Sequence, residues 1–327
     1  MIDGSKKASL VLCVAFILCS VTRFAGAEST PSLKLREVLS ARVGKRTTDF
    51  GDQFGGGKKF ISSTPFEGFA VTAKGEILIS DTVNARIQHF SQEGKPLESY
   101  ILGIRENKDP FFLPGQICAD EKQNIYVHEK KLERIVVFSP LGMMSGTYSP
   151  GHKAFESLYR QVPIISMKCD RDRIILAFGI DRIRGGVQPV YLDEYDLSFK
   201  LIKRMIFETE ADYYSVEEEG QPIRGFLTTF EDYKGNRYSF PIGRDSKGKF
   251  MPLVKHSREG LLLYKIDAKW LSQGTKYEVH DYLSMDGWGA FRGKDLLIVN
   301  WYVTADGSIY ALIANNDHVK VLKITEG

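Results

Sequence analysis

Residues 66–100 are restated by residues 116–148, and this restatement limits what the chain can fold into more than any single motif does. In the first copy apolar residues alternate (Phe69, Val71; Ile77, Ile79; Ile87, Phe90), and each run stops at a turn signal: Lys74-Gly75, then 81–84, then Glu93-Gly94. Forty-eight residues on, Gln116 to Asp120 answers Gly68 to Thr72, Asn124 to Val127 answers Glu76 to Ile79, and Arg134 to Phe138 answers Arg86 to Phe90. Four short antiparallel strands repeated at this period cannot bury their faces alone. They must stack on neighbouring copies, which implies an all-β β-propeller.

The start of the chain reads differently. Lys6-Lys7 precede an apolar run, 8–21, and Ala25-Gly26-Ala27 then offers a small-x-small cleavage site. This is the pattern of a secretory signal peptide over 1–27, because the run is shorter than the roughly 20 residues a helix needs to cross a bilayer. The expectation is export, periplasmic or secreted after cleavage near Ala27, with no stable membrane anchor. Leu12 and Leu18 stand before Cys13 and Cys19, where a lipoprotein signal needs a small residue. Removing 1–27 takes away Asp3, Lys6, Lys7 and Arg23, so the 44 basic and 41 acidic side chains fall to 41 and 40, a net charge of +1. Such a balance points away from nucleic acid. Of the four cysteines only Cys118 and Cys169 remain. They fall on the inner strands of neighbouring repeats, which admits a bridge, but two buried small hydrophobes are the favoured reading.

Residues 28–327 are read as one domain, since a closed ring of repeats absorbs their length. Repeats are placed at about 66–102, 112–148, 158–208, 225–283 and 290–327. Five can be counted, yet about 45 to 50 residues per blade suits six for this length. A six-bladed ring with one blade hidden around 286–299 is therefore expected. Residues 33–43 alternate as a lone strand and the last repeat supplies three strands, so the N-terminal strand is expected to close the ring beside 318–324. The glycine run Gly55-Gly56-Gly57 is no phosphate cradle, because Asp52 and Lys59 occupy the places of a glycine and a hydroxyl. Two insertions, 179–188 and 243–260, interrupt the economy of the repeat. Arg182, Arg184, Arg244, Lys247, Lys249 and Phe250 within them are the candidates for a cationic rim patch that binds a partner.

Over Asp81-Thr82-Val83-Asn84-Ala85-Arg86-Ile87, with Phe90 behind and Gly75 and Gly94 on either side, the chain resembles the NHL-repeat family of six-bladed propellers. In the second repeat His128-Glu129 replaces the Asp-Thr pair, and elsewhere only the hydrophobic rhythm remains. The resemblance implies that Asp81, Asn84 and Arg86 brace a turn, which agrees with the habit of short carboxylates and amides of bonding turn backbone.

Catalytic motifs are lacking: no Gly-x-Ser-x-Gly elbow occurs, and the six histidines are scattered. Aligned inner strands set Gly68, Gln116, Ser166, Thr228 and Asn300 at one level of the axial channel, and Thr72, Asp120, Asp170, Asp232 and Thr304 at another. Gln116, Asp120, Asp232 and Asn300 are the candidate channel ligands. The aspartates more readily cap the turns that follow them; if they bind instead, their oxygens suit calcium better than zinc. No cofactor is otherwise expected. The sequence thus favours a monomeric binding or scaffolding module for a protein or glycan. The alternative is a propeller enzyme of the lactonase or lyase type with a metal at the axis.

Overall fold

A computed structural model describes residues 32–44, 50–51, 68–97, 100–101, 113–130, 132–150, 164–182, 186–206, 216–218, 221–223, 226–242, 252–273, 275, 278–281, 296–315 and 317–327. Their strands form five blades, four of them of four antiparallel strands and the fifth extended at its two edges by the short parallel strands Phe50–Gly51 and Val279–Asp281. Blade 1 runs Phe69–Val71, Ile77–Asp81, Arg86–Phe90, Tyr100–Ile101, and blade 2 runs Pro114–Ala119, Ile125–Glu129, Arg134–Phe138, Met144–Tyr148. Blade 3 comprises Ile164–Asp170, Arg173–Arg182, Gly186–Asp196 and Leu201–Ile206, and blade 4 Phe226–Glu231, Arg237–Ile242, Leu253–His256 and Leu262–Ile266. Blade 5 takes Leu296–Val303, Ile309–Ala314 and His318–Glu326 from the end of the chain and Leu33–Gly44 from its start. A hairpin, Val216–Glu218 with Gln221–Ile223, lies in sequence between blades 3 and 4.

The protein is a β-propeller of five blades among the described residues, not six. The expected sixth blade dissolves because Leu296–Val303 belongs to blade 5, paired between Ile309–Ala314 and the short strand Val279–Asp281. Between blades 3 and 4 the described residues add only the two-stranded hairpin and no further four-stranded sheet. Two supposed insertions also shrink. In blade 3 the middle strands simply continue to Arg182 and resume at Gly186. In blade 4, Leu253–His256 is an ordinary strand and Ser257 to Leu261 an ordinary turn.

Closure follows from alternation in the N-terminal strand. Leu33–Gly44 pairs antiparallel with His318–Glu326 from Leu33↔Glu326 to Arg42↔His318, with one irregularity between Glu37 and Leu39. That irregularity leaves both Val38 and Leu39 buried against blade 1. Burial of each contributes about 1.5–3 kcal/mol. Lys320 Nζ donates to Glu37 Oε2 at 2.8 Å across the same pair of strands.

Period-two alternation sends successive side chains of each inner strand to opposite neighbours. Phe69 and Val71 pack on blade 5 while Ala70 packs on blade 2; Ile117 packs on blade 1 while Cys118 packs on blade 3. At the last of these interfaces Cys118 and Cys169 form a disulfide, with their Cα atoms 5.4 Å apart. The favoured reading of two separate buried thiols is corrected. Both cysteines lie in one core cluster between these inner strands, close enough to bond.

The two faces of the ring differ. Eight turns on one face are built alike, each closed by a backbone bond from the first residue to the fifth: Thr72/Glu76, Asp120/Asn124, Asp232/Asn236 and Thr304/Ser308 near the axis, and Ser91/Lys95, Ser139/Met143, Asp196/Lys200 and Ser257/Leu261 at the rim. The fourth residue of every one has positive φ, whether glycine (Gly75, Gly235) or not (Gln123, Phe199). A ninth, at Asp170/Arg173, is shorter. Every link from blade to blade leaves from the opposite face. On the short-turn side the outermost strands begin with exposed apolar side chains: Leu97 in blade 1, Leu141, Met143 and Met144 in blade 2, Leu201 and Ile202 in blade 3, Leu261 and Leu262 in blade 4. Among the described residues no helix is long and apolar enough to cross a membrane.

Candidate functional site

The inner turns of all five blades surround an axial depression of about 310 Å³ on the short-turn face. Phe230 and Tyr302 line its aromatic floor with ring centroids 6.4 Å apart, and Tyr302 meets the edge of Phe69 at 6.0 Å. Its walls carry both charge signs: Lys74, Arg171 and Lys323 against Asp120, Glu121, Asp170, Glu231 and Asp306. Tyr233 of blade 4 lies across the mouth. Its hydroxyl donates to Glu121 Oε1 of blade 2 at 3.1 Å, and its backbone N–H donates to Ala305 O of blade 5 at 2.8 Å. The hydrogen bond to Glu121 is the main reason the Tyr233 hydroxyl is held above its ordinary pKa.

Each channel candidate has its own surroundings in its own blade. Asp120 accepts from the Asn124 backbone N–H and side chain, both at 2.8 Å, and from the Tyr126 hydroxyl at 3.1 Å. Asp232 repeats this clasp in blade 4 with Asn236 and the Tyr238 hydroxyl, each at 2.9 Å. Burial pushes the Asp232 carboxyl up, but these donors together with the Lys234 amide outweigh it and leave the group below its usual range. Asn300 Oδ1 accepts from the Trp301 N–H at 2.8 Å, and Gln116 is half-buried. Both aspartates are engaged by donors of their own blades, as the turn-capping reading expects. Among the described residues no group of three or more His, Cys, Asp and Glu side chains is arranged to hold a metal ion.

Asp81 is fully buried, and its Oδ2 accepts from Asn84 Nδ2, Arg86 Nε and Gln88 Nε2, each at 2.9 Å. The adjoining Thr82 hydroxyl donates to Pro114 O at 2.8 Å, tying this corner to blade 2. His128, also buried, pairs with Glu133 at 3.0 Å at the equivalent corner of blade 2. Of the rim candidates, Arg182 ends a strand of blade 3, while Arg184, Arg244, Lys247, Lys249 and Phe250 lie outside the described residues, as do residues 1–27.

Sequence reasoning missed one row of side chains. Between the two levels assigned to the channel lie Ala70, Cys118, Lys168, Phe230 and Tyr302, and this row is neither uniformly small nor polar. Lys168 is buried on blade 3 with its Nζ 3.8 Å from the centroid of the Phe230 ring. Desolvation lowers its pKa to about 8 despite the nearby Asp170 carboxylate. The Asp193 clasp was missed too: Arg204 donates to both of its oxygens at 2.6 Å and the Tyr195 hydroxyl to one at 2.8 Å. A visible signal existed for the other clasps, since Asp-x-x-x-Asn-x-Tyr occurs at both 120–126 and 232–238.

No protein-family model matches the chain, and no curated protein does. It is similar to solved structures of β-propeller proteins. One is a catalytically inactive virginiamycin B lyase from Staphylococcus aureus bound to quinupristin, at 11% identity over 90% of this chain and 99% of that one, with a TM-score of 0.42. Another is a gluconolactonase from Xanthomonas campestris, at 12% identity over 80% and 86%, with a TM-score of 0.40. A third, from Bacteroides caccae and of unknown function, is 14% identical over 63% and 82%, with a TM-score of 0.33. At these values the likenesses carry no statement about what this chain binds or converts.

Proposed function

We propose that the chain is an exported β-propeller, NHL-like in its first repeat, that acts as a binding or scaffolding module for a protein or glycan. The observation that carries this reading is the division of the ring: one face is built of short, uniform turns, and every blade-to-blade link opens on the other. Rigid rings that free their loops on one side are suited to recognition. The sequence sets Arg182, Arg184, Arg244, Lys247 and Lys249 between the middle strands of blades 3 and 4, which favours an acidic protein or anionic glycan. Export is supported by the apolar segment within 1–27 and by the Cys118–Cys169 disulfide, which belongs in an oxidising compartment.

The test is to change these five basic residues to serine together and to measure binding of the mature chain to an array of sulfated and uronic-acid glycans and to co-purifying proteins. Loss of at least tenfold in affinity supports the reading; unchanged binding overturns it. A second reading, a propeller enzyme of the lactonase or lyase type, is favoured by one feature of this chain, the buried Lys168 amine with its lowered pKa at the axis. Hydrolysis of a lactone panel that Lys168→Met abolishes, at unchanged fold, would put the enzyme in place of the module.

A further inference from the structure

We propose that the axial depression on the short-turn face binds a small carboxylate built on a flat ring, with a hydrogen-bonding atom on the ring opposite the acid group. Tyr302 sets the inner end of such a ligand. Its ring packs against the clusters on both sides of blade 1, with the Phe69 and Phe230 rings as neighbours. Its hydroxyl has no hydrogen-bond partner among the described residues, and desolvation alone holds the group above its ordinary pKa. The oxygen is not sealed in, since Tyr302 stays half-buried and lines the depression. A desolvated hydroxyl without a partner is costly, and native structures seldom leave one so. A ligand atom can supply what is missing.

The outer end is set by charges that are not yet committed. Five carboxylates line the walls, and each already has a donor or a cation of the protein. Asp120 and Asp306 are held in their own turns, Glu121 accepts from Tyr233, and Asp170 and Glu231 stand 4.0 Å from Arg173 and Arg237. The three wall cations differ. Lys74 of blade 1, Arg171 of blade 3 and Lys323 of blade 5 have no carboxylate at ion-pair distance among the described residues. Two of them face tyrosine rings instead, Arg171 at 6.0 Å from the Tyr233 centroid and Lys323 at 5.3 Å from that of Tyr310. Uncommitted cations from three blades around one mouth favour an anion. A monoanion suits them better than a phosphate, because the wall carboxylates repel a second charge. An organic cation would have to compete with the donors those carboxylates already hold. Size restricts the rest. A depression of about 310 Å³ is at the small end of ligand cavities, enough for one ring and its substituents and too little for a peptide or a chain of sugars. A floor of tilted aromatic rings takes a flat ring edge-on or offset.

The experiment is isothermal titration calorimetry of the mature chain, residues 28–327, with 4-hydroxybenzoate, benzoate, 4-hydroxybenzyl alcohol and glucuronate. The phenolic acid is expected to bind with a Kd below about 1 mM. Benzoate should bind about fivefold more weakly for want of a partner to Tyr302, and the neutral alcohol about tenfold more weakly or worse. Tyr302→Phe, which keeps the ring and its packing, should weaken 4-hydroxybenzoate about fivefold and leave benzoate within about twofold. Arg171→Met with Lys323→Met should weaken both acids about tenfold at an unchanged thermal midpoint. No binding of either acid at about 10 mM overturns the proposal. So does a Tyr302→Phe variant that weakens both acids alike, or an alcohol that binds as tightly as the acid. Glucuronate bound more tightly than 4-hydroxybenzoate would give the depression to a sugar acid and overturn the flat-ring assignment likewise.

Discussion

Lys168 of blade 3 and Phe230 of blade 4 meet with the ammonium 3.8 Å from the ring centroid. This contact is the main described bond between two blades that share no hydrophobic cluster among the described residues. A cation over an aromatic face is attracted by about 2 kcal/mol when desolvated, yet burial of the amine works against it.

The balance predicts an uncommon pH response. The folded pKa of Lys168, about 8, lies below its ordinary 10.5. The unfolded chain therefore holds the proton more tightly, and stability rises with pH between those values. Below about pH 8 the full cost of the buried charge applies, on the order of 3 kcal/mol or slightly more. Lys168→Met should accordingly unfold at higher urea concentration than the native chain at pH 7, with the difference gone near pH 10.5. A variant less stable than the native chain at pH 7, with the difference gone near pH 10.5, would show that the attraction to Phe230 outweighs burial.

Asp81→Ala should cost about 2–4 kcal/mol, because three donors, Asn84, Arg86 and Gln88, lose a buried carboxylate together. Asp81→Asn, which keeps one acceptor oxygen, should cost less. Urea midpoints for the two variants check the order.

Cys118→Ser with Cys169→Ser should destabilise by about 4 kcal/mol on the chain-entropy account of a bridge that spans 51 residues. Calorimetry of the native chain with and without reductant should give the same difference as the double variant. Agreement of all thermal midpoints to within a degree would remove the bridge from the account of stability.

Deleting residues 28–45 should open the ring, since Leu33–Gly44 is the outer partner of His318–Glu326. The exposed edge should drive aggregation. Light scattering during a thermal ramp measures it, and an unchanged midpoint without scattering would contradict the role of the strand. The milder Leu39→Ala should cost about 2–4 kcal/mol by leaving a cavity against blade 1.

Much of the fold was legible because alternation and turn signals are local. Phe69 to Phe90 and Ile117 to Phe138 could be read residue by residue, and so could the closing strand, whose partner was missing from the last repeat. The number of blades was not legible, because length alone does not separate strand from connection. The disulfide was hidden for a related reason: Cys118 and Cys169 align in the repeats as neighbours one residue out of phase, and an alignment by repeat does not show that they meet. At the axis, Asp120 and Asp232 were found as residues while their clasps were not, although the asparagine and tyrosine partners follow at fixed spacing. Tyr233 could not be found at all, since its partner Glu121 is 112 residues away and two blades around the ring.

The strand that completes blade 5 sets a schedule for synthesis. Glu37 and Lys320 are 283 residues apart, so Leu33–Gly44 emerges early and its partner strand last. At about 5–20 residues per second the first strand waits for tens of seconds, while the blades between form by local pairing. The ring is therefore a structure that no nascent chain can possess: it closes only once the C-terminal strand has emerged, and a chain stalled before His318 remains an open arc however well its blades are made.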